Sequence, residues 1–153
     1  MPLLLARALE TVIAREVNSL KQVTEAQAET RPADGKWSKK EELGHLIDSA
    51  VNNHVRFVRA TLEERFIGPT YDQNGWVRVH GYQELPWRLV IDLWQLNNTA
   101  LVTLIARIPE DQLETPCVIG DGDAVTLEFL IEDYIAHMQH HLDHILQSHF
   151  LPQ

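Results

Sequence analysis

Apolar residues along this chain recur at intervals of three and four, and no segment sustains an alternation of apolar and polar residues. The first pattern belongs to helices that bury one face; the missing pattern belongs to half-buried strands. Four segments carry the helical spacing. Leu5, Leu9, Val12, Ile13, Val17 and Leu20 predict a helix over about residues 3–27. Leu43, Leu46, Ile47, Ala50, Phe57 and Val58 predict a second, ending near Leu62. Leu89, Leu93, Leu96, Ala100, Leu101 and Leu104 predict a third, from near Pro86 to about Ile108. Leu127, Leu130, Ile131, Tyr134, Met138, Leu142 and Ile145 predict a fourth, reaching about His149 before Pro152. Four apolar stripes hide together most simply in an all-α four-helix bundle.

Local punctuation supports these limits. Ser38-Lys39-Lys40-Glu41 is a capping box ahead of the second helix, with Trp37 as its staple residue. Pro86 suits a first helical turn, Pro109 stops the third helix, and Thr126 can cap the fourth. Residues 66–85, with Gly68, Pro69, Gly75 and Gly81, predict a long loop, and loops of such length are more often functional than idle. A second loop holds Pro116, Gly120 and Gly122; Val118-Ile119 and Ala124-Val125 form a short hairpin at most.

At 153 residues, 44% of them hydrophobic, residues 1–153 make one domain with a core that needs no disulfide. The 13 basic against 22 acidic side chains give a net charge of −9, which argues against nucleic acid and anionic lipid as partners. Cys117 is the only cysteine, which excludes an internal disulfide and a cysteine-based zinc knuckle; beside Pro116, it reads as structural. No uninterrupted apolar run approaches the roughly 20 residues of a membrane span. Arg7 and Glu10 break the apolar start, and no cleavage site follows. The expected compartment is the cytoplasm.

Eight histidines is a high count, and four of them fall in His137-Met138-Gln139-His140-His141-Leu142-Asp143-His144. Residues four apart share a helix face, so His137 with His141, or His140 with His144, can share one metal ion. From the centre of the apolar stripe, His141 lies about 50° away, His137 about 90°, His144 about 110° and His140 about 150°. His137 and His141 are thus the inward pair. Asp133, one turn before His137, is placed to orient an imidazole. The competing reading is a solvated, histidine-rich surface. The spacing is not the H-E-x-x-H of a metalloprotease, and no glutamate lies between the paired histidines. A third ligand must come from another helix. Periodicity favours His54, inside the second stripe, over His45, which points away from it; His80 in the long loop is a weaker candidate.

Three stretches together resemble the DinB/YfiT-like family of metal-dependent four-helix bundles. They are Lys36-Trp37-Ser38 leading to Leu43-Gly44-His45-Leu46-Ile47-Asp48-Ser49 with Asn52 and Arg56-Phe57; Leu127-Glu128-Phe129-Leu130-Ile131-Glu132-Asp133-Tyr134; and His137-Met138-Gln139-His140-His141. The resemblance spans nearly the whole chain. It implies an open site built from His45, His137 and His141, overruling periodicity at His45. A ligand near the start of a helix can face a cleft at the end of the bundle. Asp48, Asp133 and His144 are then candidates for contacts behind the ligands. His144 stands where many members carry glutamine.

Three neutral imidazoles leave coordination positions open, the arrangement of a catalytic site, and zinc or nickel suits such ligands. A bound water could be acidified to a pKa of about 7, and a bound thiol held as thiolate. The wider family includes transferases and isomerases that use low-molecular-weight thiols such as bacillithiol and mycothiol. The resemblance therefore implies hydrolysis or thiol transfer on a small-molecule substrate, in a homodimer. The alternative is a non-catalytic metal-binding or stress-response dimer. Arg56 is the candidate for a carboxylate-bearing thiol or substrate; Arg59 reads as solvated. Tyr71, Trp76 and Trp87 are candidate cleft walls, though core packing explains them equally well. No serine or cysteine nucleophile paired with a histidine is identified.

Overall fold

In the computed structural model, which describes residues 1–150 and the side chains of residues 1–146, four long helices form the bundle. They are α1 (Pro2–Gln22), α3 (Lys39–Leu62), α5 (Trp87–Ala106) and α6 (Leu127–Phe150). Helix α1 packs on α5, and α3 packs on both α5 and α6. Their stripes meet in a core that includes Leu9, Leu20, Leu43, Leu46, Trp94, Leu101, Ile105, Ile131 and Leu142, all at most 1% exposed. The expected capping box opens α3: Ser38 Oγ accepts from the Glu41 amide at 3.2 Å and Glu41 Oε1 from the Ser38 amide at 3.1 Å. Thr126 Oγ1 accepts from the Phe129 amide at 3.1 Å at the start of α6. His149 lies outside the residues whose side chains are described, and Pro152 outside the described residues altogether.

Four details differ from expectation. The first helix does not run to residue 27. Val23 is extended, and Thr24 opens a separate short helix, α2 (Glu25–Glu29), through its own capping box with Gln27. A local cap here outcompetes propagation of α1. Residues 66–85 are not a plain loop: they hold β1 (Phe66–Gly68), α4 (Gln73–His80) and a 3₁₀ turn at Tyr82–Glu84. Asp72 caps α4, and Gly81, at φ 65°, closes it in the left-handed conformation. Two turns that bury only Gly75 and Val77 are too short to show a period. The predicted hairpin forms as β2 (Pro116–Ile119) and β3 (Val125–Thr126), but β1 joins it in parallel, with Phe66 opposite Cys117. Finally, α5 alone among the described residues is long and apolar enough to cross a membrane, although Arg88 and Asp92 interrupt its apolar run. In this fold it packs on α1 and α3.

The stretch of α3 from Glu42 to Ala50 is buried at every position. Its apolar side faces α5. Its polar side is covered by α6, α4 and the 3₁₀ turn. The wheel argument assumed a single covered face, and that assumption fails here. His45 is therefore buried at 1% exposure, whereas His54, chosen by periodicity, is exposed.

Candidate metal centre

Helices α3 and α6 bring three imidazoles together. The ligand-capable nitrogens of His45, His137 and His141 all lie within 4.8 Å of one another. His137 Nε2 and His141 Nε2 are 3.2 Å apart. A tetrahedral ion with bonds of about 2.05 Å separates its nitrogen ligands by about 3.3 Å. The His45 ring meets His137 and His141 edge-on, with centroids 5.4 and 4.9 Å away, and Trp37 covers its other side at 5.0 Å. Trp37 thus packs on the site. His45 Nδ1 is buried without a hydrogen-bond partner. An orphaned nitrogen inside a cluster of imidazoles fits a set that can hold one ion.

Burial, followed by the neighbouring charges of His141 and His137, pushes the His45 imidazole down to about 4. Burial and His141 also lower His137, opposed by Asp133. Both rings are thus neutral near pH 7, the form that ligates metal.

The residue that orients the cluster is one sequence reasoning passed over. Glu42, 7% exposed, accepts from His141 Nδ1 at 2.9 Å and from His144 Nδ1 at 2.7 Å. Burial pushes the Glu42 carboxyl up, but the bonds and charges of His141 and His144 bring it below the ordinary range. With the proton of His141 on Nδ1, its Nε2 lone pair is left facing the cluster. The sequence held one signal for Glu42: it stands one turn before His45, as Asp133 stands one turn before His137.

The other candidates divide. His144 lies behind His141 through Glu42. Asp133 is exposed and acts on His137 by charge, without a hydrogen bond to it. Asp48 is fully buried but serves different partners: Tyr82 Oη donates to it at 2.7 Å and His80 Nδ1 lies 2.9 Å away. Burial raises its carboxyl, while Tyr82 and His80 pull the other way. Trp87 is a core residue whose Nε1 donates to the Leu20 carbonyl at 3.0 Å. Arg59 pairs with Glu63 at 3.1 Å, as a solvated arginine would. Cys117 is buried in β2, and burial pushes its thiol up to about 11.

Beside His137 a cleft of about 230 Å³ opens between α3, α6 and the segment after β1. Arg56, Ser49, Asn53, Tyr71 and Asp133 are among the residues that line it. Tyr71 therefore is a cleft wall, and Trp76 stands behind it at 5.7 Å between ring centroids.

Known proteins with the same arrangement of helices exist. The family model of the DinB superfamily matches residues 8–145. The solved structure of YfiT from Bacillus subtilis, described as a probable metal-dependent hydrolase with an unusual four-helix bundle topology, superposes with a TM-score of 0.81. That match has 25% identity and covers 94% of this chain and 82% of that one. A protein of Halalkalibacterium halodurans, provisionally named metal-dependent hydrolase BH0277, is 28% identical over 75% of this chain and 67% of its own length. A protein of Oceanobacillus iheyensis, named in the same provisional way as OB0782, is 24% identical over 84% of this chain and 74% of its own.

Proposed function

The chain belongs to the DinB superfamily, and on that premise we propose that it is a metal-dependent enzyme whose ion, zinc or nickel, is held by His45, His137 and His141. The convergence of those three imidazoles within 4.8 Å carries the reading. A divalent ion bound there supplies Lewis acidity and lowers the pKa of a bound water or thiol. The chain's own residues do the remaining work. Glu42 holds the His141 proton on Nδ1, and burial keeps His45 and His137 neutral. The cleft admits a small molecule to the His137 edge of the cluster.

The reaction class is attack of water, or of a low-molecular-weight thiol, on a small electrophile. The provisional hydrolase names of the relatives support water. The lined cleft favours an enzyme over a non-catalytic metal-binding bundle. The reading includes a homodimer working in the cytoplasm, and the net charge of −9 supports a small-molecule partner over nucleic acid.

Metal analysis of protein purified without a histidine tag tests this. About one zinc or nickel per chain is expected, lost in each of His45→Ala, His137→Ala and His141→Ala. No metal in the wild type, and none taken up on reconstitution, would overturn the proposal. So would loss in His54→Ala with retention in His45→Ala.

A further inference from the structure

Arg56 is a half-buried guanidinium that lines the cleft, and among the described residues no carboxylate stands at ion-pair distance from it. Its Nη2 donates to the Pro69 carbonyl at 3.2 Å, and its guanidinium carbon lies 5.9 Å from the centre of the Tyr71 ring. An arginine carries five N–H donors, so most of this fork is unused. Burial works against its charge. A guanidinium partly withdrawn from water gains from an acid partner, and acids outnumber bases in this chain 22 to 13. The acid nearest in the cleft, Asp133, stands on the facing helix beside His137 and makes no ion pair with Arg56.

Arg56 follows His45 by eleven residues on α3. That is three turns with about 20° of residual rotation, so both lie on one face, about 16.5 Å apart along the axis. Side chains on a helix lean toward its N-terminus, here the His45 end. The cleft has both His137 and Arg56 in its lining, and Ser49, Asn53 and Thr70 offer further polar groups there.

We propose that Arg56 and the cleft between it and His137 bind the carboxylate of a small organic acid, presenting the rest of that molecule to the histidine cluster. What happens at the His137 end rests on the metal-dependent reading above; the anion site stands on Arg56 and the cleft. A guanidinium fork binds carboxylate through two parallel hydrogen bonds. Among the described residues Arg56 is the only lysine or arginine lining the cleft, which matches a monoanionic group better than a phosphate dianion. A volume near 230 Å³ lies below the ~300–1,000 Å³ of drug-sized ligand sites, which limits the ligand to a small molecule.

The test is a titration of glutarate into the full chain, zinc-loaded and EDTA-treated, followed by the arginine Nε–Hε resonances in NMR. Glutaramide serves as the neutral isostere and inorganic phosphate as the competing anion. Glutarate is expected to bind saturably and shift the Arg56 resonance, while glutaramide does not. Arg56→Gln weakens glutarate binding about tenfold or more. Arg56→Lys keeps the charge without the fork and loses part of the affinity. Arg59→Gln, outside the cleft, leaves it unchanged. Equal glutarate affinity in Arg56→Gln overturns the proposal, as does glutaramide binding as well as glutarate, or phosphate binding more tightly. If Arg56→Gln fails to fold by circular dichroism, Arg56→Lys and the wild-type resonance decide. Zinc content is measured in every sample. Glutarate binding at Arg56 in a chain that takes up no zinc refutes the metal reading alone. Normal zinc uptake without glutarate binding refutes the anion site alone.

Discussion

Replacing Glu42 by glutamine changes one atom and tests the account of how the cluster is held. The two carboxylate oxygens of Glu42 receive three imidazole contacts: 2.9 Å from His141 to Oε2, and 2.7 and 3.0 Å from His144 to Oε1 and Oε2. Glutamine offers one carbonyl oxygen and an NH₂ group that cannot accept an Nδ1–H. One imidazole must lose its partner or change tautomer. If the amide nitrogen faces His141, that proton moves to Nε2, the atom that lies 3.2 Å from His137 Nε2. The lone pair aimed at the cluster is then gone. If the carbonyl faces His141, the tautomer survives but the carboxylate's negative charge behind the ligand does not.

Losing a carboxylate behind a ligating histidine weakens metal affinity about 10- to 100-fold, or about 1.4–2.7 kcal/mol. Competition for zinc against a chromophoric chelator measures this directly, with a thermal melt of the zinc-free protein as the folding control. His144→Ala provides the comparison. Its ring is 68% exposed, so its bond to Glu42 is screened by solvent, and a loss of about threefold or less is expected. A folded Glu42→Gln protein that binds zinc as tightly as the wild type would refute the role given to Glu42.

Three further perturbations test the frame around the site. Gly44→Ala would place a methyl 2.7 Å from Tyr82 Cε2 and closer still to two other ring carbons. Tyr82 is buried and tied to Asp48, so a loss of about 1–3 kcal/mol is expected; an unchanged urea midpoint would contradict the packing. Ser38→Ala removes the oxygen that caps α3 and its 2.5 Å bond to Gln83. Denaturant unfolding should show a cost of about 1 kcal/mol, and a neutral result would mean the cap does not hold the helix start. Burial keeps the Cys117 thiol at about 11, well above neutrality, so iodoacetamide at pH 7.5 should label it only after denaturation; rapid labelling of the native protein would show that β2 opens.

The bundle was legible because long helices repeat their signal. Each of the four carries at least five periodic apolar residues, and three of the four starts, at Ser38, Pro86 and Thr126, have a cap or a proline. The inward pair His137 and His141 followed from the same arithmetic. His45 did not, because its burial depends on α4 and the 3₁₀ turn at Tyr82, which periodicity could not detect. The resemblance supplied it, through the Gly44-His45 pair; Gly44 leaves the space in which Tyr82 lies. Strand β1 was illegible for another reason. A parallel pair joins segments some 50 residues apart, and neither strand records its partner. Glu42 was missed because a carboxylate in the first turn of a helix is ordinary for its dipole. Only the return of α6 reveals what it accepts.

The small sheet has a consequence for how molecules enter. Three residues, Pro69, Thr70 and Tyr71, separate the end of β1 from Asp72, the cap of α4. One end of this strip is zipped to β2, where the Gly120 amide also donates to the Gly68 carbonyl at 2.8 Å. The other is fixed by the cap, and Pro69 removes one torsion from what lies between. A span this short, anchored at both ends, fixes Thr70 and Tyr71 on the rim of the cleft. Under the proposed function, a guest would meet a preformed opening and be sorted by its fit to that opening.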